Sequence, residues 1–181
     1  QRGIATVWNL QDDKFENHVK DTLVAGGELC DKATVETIVR RGPEEVRKLL
    51  GYGARFDRDR EGKILLGREG GHDHFRILLA NGDSTGAEIM RATIAEVRRR
   101  PNIRVWEDPF ALDLLTYAGF CLGAVVYWEK EHETELVWAQ QTVIATGGLG
   151  QIFRETTNPS CATGDGVAMA FRAGAVCRDL E

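Results

Sequence analysis

An apolar run, Thr142-Val143-Ile144, leads straight into Ala145-Thr146-Gly147-Gly148, and Thr163-Gly164-Asp165-Gly166 then opens a helical pattern. Few arrangements constrain a fold as much as a strand that runs into a glycine turn and is followed by a capped helix. Glycine lacks a Cβ, so main chain can approach a ligand closely, and the amides at a helix start favour anionic or hydroxyl-rich groups. Something flat and phosphorylated, a dinucleotide, suits both. The glycine-rich first turn of a nucleotide-binding unit, Gly-x-Gly-x-x-Gly, does not occur in these 181 residues. With Gln1 in place of a starting Met, the chain reads as an internal piece of a longer protein.

The rest of the pattern predicts helices first. Phe15, Val19 and Leu23 form one helical stripe, ended by Gly26-Gly27. Asp31 caps a second helix that buries Val35, Ile38 and Val39. Pro43 suits a first helical turn, so Val46, Leu49 and Leu50 belong either to a third helix or to a kinked continuation. Between Phe56 and Leu79 the apolar residues come in short bits, as in loops and brief strands. Asp83-Ser84-Thr85-Gly86 caps a further helix with Ile89, Met90, Thr93, Ile94 and Val97 on its buried face, and Arg98-Arg99-Arg100 forms its solvated end.

Beyond Pro101, strands are expected at Ile103–Trp106, Ala111–Leu115, Cys121–Trp128 and Leu136–Ala139, the last three as an antiparallel meander. Residues 142–145 are expected to return as a buried strand of a parallel sheet, and the last helix to cover Asp165–Ala173. The class is α/β, and the length suits one domain, since domains run about 100 to 200 residues.

Charge and cysteine usage exclude some functions. A formal charge of −5 with no basic block gives no electrostatic case for nucleic acid. Four dispersed cysteines without a Cys-x-x-Cys fit reduced thiols in the cytoplasm. No apolar stretch nears the roughly 20 residues that span a bilayer, and no membrane partner is expected.

The segment richest in chemistry is Arg68-Glu69-Gly70-Gly71-His72-Asp73-His74-Phe75-Arg76. Arg and His there can hold a dicarboxylate while Glu69 accepts from an ammonium, which would read both ends of an amino acid. A solvated loop whose charges pair among themselves explains the same spacing. His72-x-His74 also has metal-ligand chemistry. Against a metal, residues two apart face the same way only on a strand, no third His is near, and no His-Glu-x-x-His occurs.

In order along the chain, Gln1-Arg2-Gly3-Ile4-Ala5, Arg68-Glu69-Gly70-Gly71-His72, Asp83-Ser84-Thr85-Gly86, Ala145-Thr146-Gly147-Gly148, Thr156-Thr157-Asn158-Pro159 and Thr163–Ala170 resemble the succinate dehydrogenase and fumarate reductase flavoprotein superfamily. Within it the chain is most similar to the L-aspartate oxidases, because an acidic residue, Glu69, precedes Gly-Gly-His. The resemblance covers essentially the whole chain. It implies a partial FAD-binding, Rossmann-like domain with a helical segment and an antiparallel meander. It also implies oxidation of L-aspartate to iminoaspartate by FAD, with O2 or fumarate as acceptor, as the first step of NAD biosynthesis, and delivery of the product to quinolinate synthase.

By the same resemblance, Glu69 contacts the substrate amino group, with His72 beside it. Arg76 is the nearest guanidinium, because Phe75 stands where a basic residue often follows the second histidine. Gln1, Arg2, Gly3, Phe110, Ala111, Thr146, Gly147 and Asp165 would contact FAD. The phosphate-binding glycine turn is expected upstream of Gln1 and a capping domain beyond Glu181, so residues 1–181 alone should not turn over. The rival readings are a dicarboxylate dehydrogenase or reductase subunit and a non-catalytic interaction module.

Overall fold

The computed structural model describes residues 3–27, 29–178 and 180, and the chain divides into two compact units at Arg104. The first contains β1 (Ile4–Ala5), α1 (Phe15–Ala25), α2 (Lys32–Gly51), β2 (Leu66–Gly67), β3 (Ile77–Leu78) and α3 (Thr85–Arg99). The second contains β4 (Phe110–Tyr117), β5 (Phe120–Trp128), β6 (Glu133–Trp138) and α4 (Asp165–Arg172).

In the first unit α1 and α2 form where the apolar spacing predicts them, and they bury Val19, Val35 and Val39 against Phe15 and Leu23, whereas Ile38, expected on the same buried face, is exposed. Asp31 caps α2 by accepting from Thr34 N at 2.7 Å. The helix then runs unbroken through Pro43, which resolves the choice between two helices and one. A larger cluster of Val46, Ala54, Phe56, Leu78, Ala80 and Ala92 packs the end of α2 and α3 against the small antiparallel sheet β1-β3-β2. Burial of Val46, Phe56 and Leu78 is worth about 1.5–3 kcal/mol each.

The buried face of α3 differs from the expected one. Thr85, Glu88, Ala92 and Glu96 face inward, whereas Met90 and Ile94 are exposed. Polar atoms make this orientation tolerable, because each inward group finds a partner. Thr85 Oγ1 accepts from Ala80 N, Glu88 accepts from Arg55 N and pairs with Arg91, and Glu96 holds Arg99 and Arg100. The arginine-rich helix end is therefore partly paired instead of wholly solvated.

In the second unit the meander is as expected, with sheet order β4-β5-β6 and every pairing antiparallel. Asp113 on β4 accepts from Arg172 Nε on α4 at 2.8 Å. Two predicted strands are absent. Residues 103–106 follow a turn in which Ile103 N donates to Arg100 O, and they have no ladder partner among the described residues. Among the described residues, 142–145 join no parallel sheet, and Val143 is 87% exposed. β-Branched residues favour extended backbone, but a strand exists only where a neighbour supplies the other half of its hydrogen bonds. Among the described residues no helix is long and apolar enough to cross a membrane.

Candidate active site

Antiparallel β2 and β3 bring the ends of the 68–76 loop together, and Arg76 N donates to Gly67 O across its base at 3.1 Å. Inside the loop His72 N donates to Glu69 O at 3.2 Å. This turn places Glu69, Gly70, Gly71, His72 and Asp73 on one side of a cleft of about 600 Å³, with Lys20 and Asp21 of α1 and Arg68 also lining it. Glu69 and His72 are therefore brought together as expected. Arg68, one of the two guanidiniums of the segment, lines the cleft as well, and Lys20 is a cationic neighbour that sequence spacing did not single out. The Arg68 guanidinium stacks 5.6 Å over the Phe75 ring.

Arg76 departs from its expected role. Its side chain is fully buried, with Nε and Nη2 donating to Asp13 at 2.7 and 2.9 Å and Nη1 donating to Asp21 at 2.5 Å. A guanidinium so engaged is not open to a ligand carboxylate. It serves instead as a strut, since Asp21 Oδ2 also accepts from Asp73 N at 3.1 Å and so ties the loop to α1. Burial, the largest single influence, would raise both carboxyls, but hydrogen bonds from Arg76, backbone amides (Lys14 N to Asp13, Asp73 N to Asp21) and the Arg76 charge together outweigh it and hold Asp13 and Asp21 below their ordinary values. Arg76 is likewise destabilised by burial, yet its two carboxylates raise it. Asp13, Asn17 and Asp21 recur every four residues along one side of α1 and its lead-in. That polar stripe beside an apolar one was the legible signal for this buried network.

His74 is engaged within the protein. Its Nε2 accepts from Asn17 Nδ2 at 3.3 Å, and its Nδ1 lies 3.9 Å from Asp13. Among the described residues no group of three or more His, Cys, Asp or Glu could hold a metal.

His18 completes the network. It is 7% exposed, its ring meets that of His72 edge-on at 5.6 Å, and its Nδ1 is buried without a hydrogen-bond partner. Burial, then the charges of Arg76 and His72, lower its pKa from 6.5 to about 4. Because the unfolded chain takes up this proton more readily, His18 has its full stabilising effect above about pH 6.5, and that effect is lost as pH falls towards 4. The drop amounts to about 3 kcal/mol at about 1.36 kcal/mol per unit. His18→Phe should accordingly flatten the stability profile between pH 6.5 and 4, as read by urea unfolding. An unchanged slope would assign the acid sensitivity elsewhere.

The second unit brings the two glycine bends into contact. A Cβ on Gly166 would lie 1.9 Å from Thr146 Oγ1 and 2.9 Å from Thr146 Cβ, so only glycine lets the first turn of α4 rest on the 145–147 bend. Gly164 caps α4 in the left-handed region at φ 82°, and Thr163 Oγ1 hydrogen-bonds to Asp165. A cleft of about 380 Å³ opens along Ile144–Gly147, Gly166, Val167 and Ala170. Gly147, at φ 78°, would carry a Cβ into open space. Thr146 and Gly147 thus lie beside the first turn of α4, at the positive end of a helix, a backbone cradle that fits part of a dinucleotide, whereas Asp165, which begins that turn, is exposed and does not line the cleft.

Phe110 and Ala111 start β4, opposite Tyr127 and Val126, and do not line that cleft. Gln1 and Arg2 lie outside the described residues. Gly3 is small for a structural reason, since a Cβ there would sit 2.3 Å from Ile77 Cγ2 and 3.0 Å from Leu78 O. It lets the chain lie against β3.

Residues 2–181 match the model of a family described as the FAD binding domain. The chain belongs to that FAD-binding family. The L-aspartate oxidase of Streptomyces coelicolor is 49% identical over 185 residues, covering 100% of this chain and 32% of the relative. That of Neisseria meningitidis is 47% identical over 181 residues, covering 100% of this chain and 36% of the relative. The chain therefore spans about a third of the length of these relatives. Among solved structures, a quinol-fumarate reductase with menaquinol is similar at a TM-score of 0.88 and 30% identity, covering 96% of this chain and 30% of that one. The α/β, FAD-binding fold class is thus that of the family, even though the ladders among the described residues are antiparallel.

Proposed function

We propose that the full-length protein carrying this chain is an L-aspartate oxidase, converting L-aspartate to iminoaspartate with O2 or fumarate as final acceptor. The observation that carries this reading is a carboxylate, Glu69, in the same cleft as His72, Lys20 and Arg68. A dicarboxylate needs only cations and donors, whereas an amino acid also needs an acceptor for its ammonium. The two aspartate oxidase relatives, at 49% and 47% identity, support the same choice. FAD supplies the two-electron acceptor chemistry when bound.

The residues of this chain would then have distinct tasks. Glu69 pairs with the ammonium and orients the Cα–H bond, while His72, Arg68 and Lys20 attract the carboxylates. Thr146, Gly147 and Asp165 would hold the nucleotide through the α4 cradle, and Gln1, Arg2, Gly3, Phe110 and Ala111 are assigned to FAD by motif. Residues 1–181 are in this reading an internal part of one FAD-binding domain, with the remaining catalytic groups elsewhere in the polypeptide. The unstable imine would pass to quinolinate synthase in the cytoplasm.

Anaerobic mixing of the FAD-loaded full-length protein with L-aspartate should bleach the flavin, and succinate should do so far more slowly. Bleaching by succinate alone would favour the dehydrogenase reading.

A further inference from the structure

We infer that Arg76 is a positioning residue that sets the tautomer of His72, so that the His72 ring presents an Nε2–H donor to a carboxylate in the Glu69 cleft. Arg76 Nη1 stands 3.2 Å from His72 Nδ1. Guanidinium nitrogens can only donate, so Nδ1 must accept, and the single proton of neutral imidazole is then on Nε2. Nδ1 faces the buried strut and His72 lines the cleft, which leaves Nε2, on the far side of the ring, as the nitrogen available to a ligand.

The arrangement is held from behind at three points. Asp13 takes two donors of Arg76, Asp21 takes a third, and Asp21 also accepts from Asp73 N, the residue next to His72. Arg76 cannot turn away without leaving two buried carboxylates unpaired, so the guanidinium that fixes Nδ1 is itself immobilised. The buried cluster therefore reaches the ligand through one imidazole, as outer groups orient a histidine in other sites.

The ligand half of this inference rests on the aspartate reading; the tautomer half does not, and the experiment separates them. In full-length protein labelled with 15N-histidine, the His72 resonances should show an unprotonated Nδ1 and a protonated Nε2. Arg76→Lys, which keeps a charged donor, should preserve that pattern. A proton on Nδ1, or an even mixture of tautomers, would overturn the inference whatever the substrate.

For the ligand half, His72→Gln places an amide donor near the Nε2 position and His72→Asn places one near Nδ1. Both variants should raise the KM for L-aspartate, the Asn variant by at least about threefold more than the Gln variant, with a smaller change in kcat. Equal effects of the two substitutions would remove the Nε2 donor from the binding site. If the parent protein does not oxidise aspartate at all, the aspartate reading and the ligand half fail together, and the NMR result still decides the tautomer.

Discussion

Replacing Arg76 by Met is expected to destabilise the protein by about 3–5 kcal/mol, because removing one partner of a buried ion pair leaves the others charged and dry. Here two carboxylates, Asp13 and Asp21, would be stranded together. Urea unfolding of the full-length protein should show the loss. The pH dependence should also change sign. In the parent, the lowered pKa values of Asp13 and Asp21 contribute stability above the ordinary carboxylate range, and that contribution disappears as pH falls through their folded values. Without Arg76 both carboxyls should be raised by burial, so acid should stabilise the variant. Adding Asp21→Asn to Arg76→Met should recover part of the loss by removing one stranded charge. A cost below about 1 kcal/mol would show the pair to behave like a surface salt bridge.

The second large effect concerns Glu69. Glu69→Gln should lower kcat/KM for L-aspartate by about 10- to 100-fold, the value of a hydrogen bond to a charged group, about 1.5–3 kcal/mol. Fumarate carries no ammonium, so its reduction by the same variant should fall by less than about threefold. The comparison matters because Glu69 is exposed at the cleft and its backbone oxygen also closes the turn to His72. Equal losses on both substrates would mean that the substitution disturbs the loop and that Glu69 does not read the ammonium.

Both predictions depend on how residues legible one by one come to act together. The α1 stripe, the Asp31 cap, the β4-β5-β6 meander and α4 could be read directly, since each is governed by spacings within a few residues. The two glycine bends could be read as well, but that Gly166 has no room for a side chain beside Thr146 is a fact of the packing. The pairing of Glu69 with His72 was legible because four residues of one turn carry both.

The misses share a different cause. On α3, hydrophobicity alone pointed Met90 and Ile94 inward, but satisfied polar groups at Glu88 and Glu96 occupy that position. Residues 103–106 and 142–145 have strand-forming composition, yet ladder formation depends on a neighbour that local pattern does not specify. Lys20 reaches the cleft only because α1 packs beside the 68–73 turn.

Local order in the chain, then, was enough to determine the helices, the hairpins, the glycine bends and which chemical groups were on hand. Tertiary structure alone decided what Arg76 does. Its partners lie 63 and 55 residues away in sequence, and a charge taken out of water must be matched by whichever opposite charges the packing delivers to it. Spacing along the chain records that a guanidinium follows Gly-Gly-His; only the fold, by placing Asp13 and Asp21 beneath it, turns that guanidinium away from the ligand and towards His72.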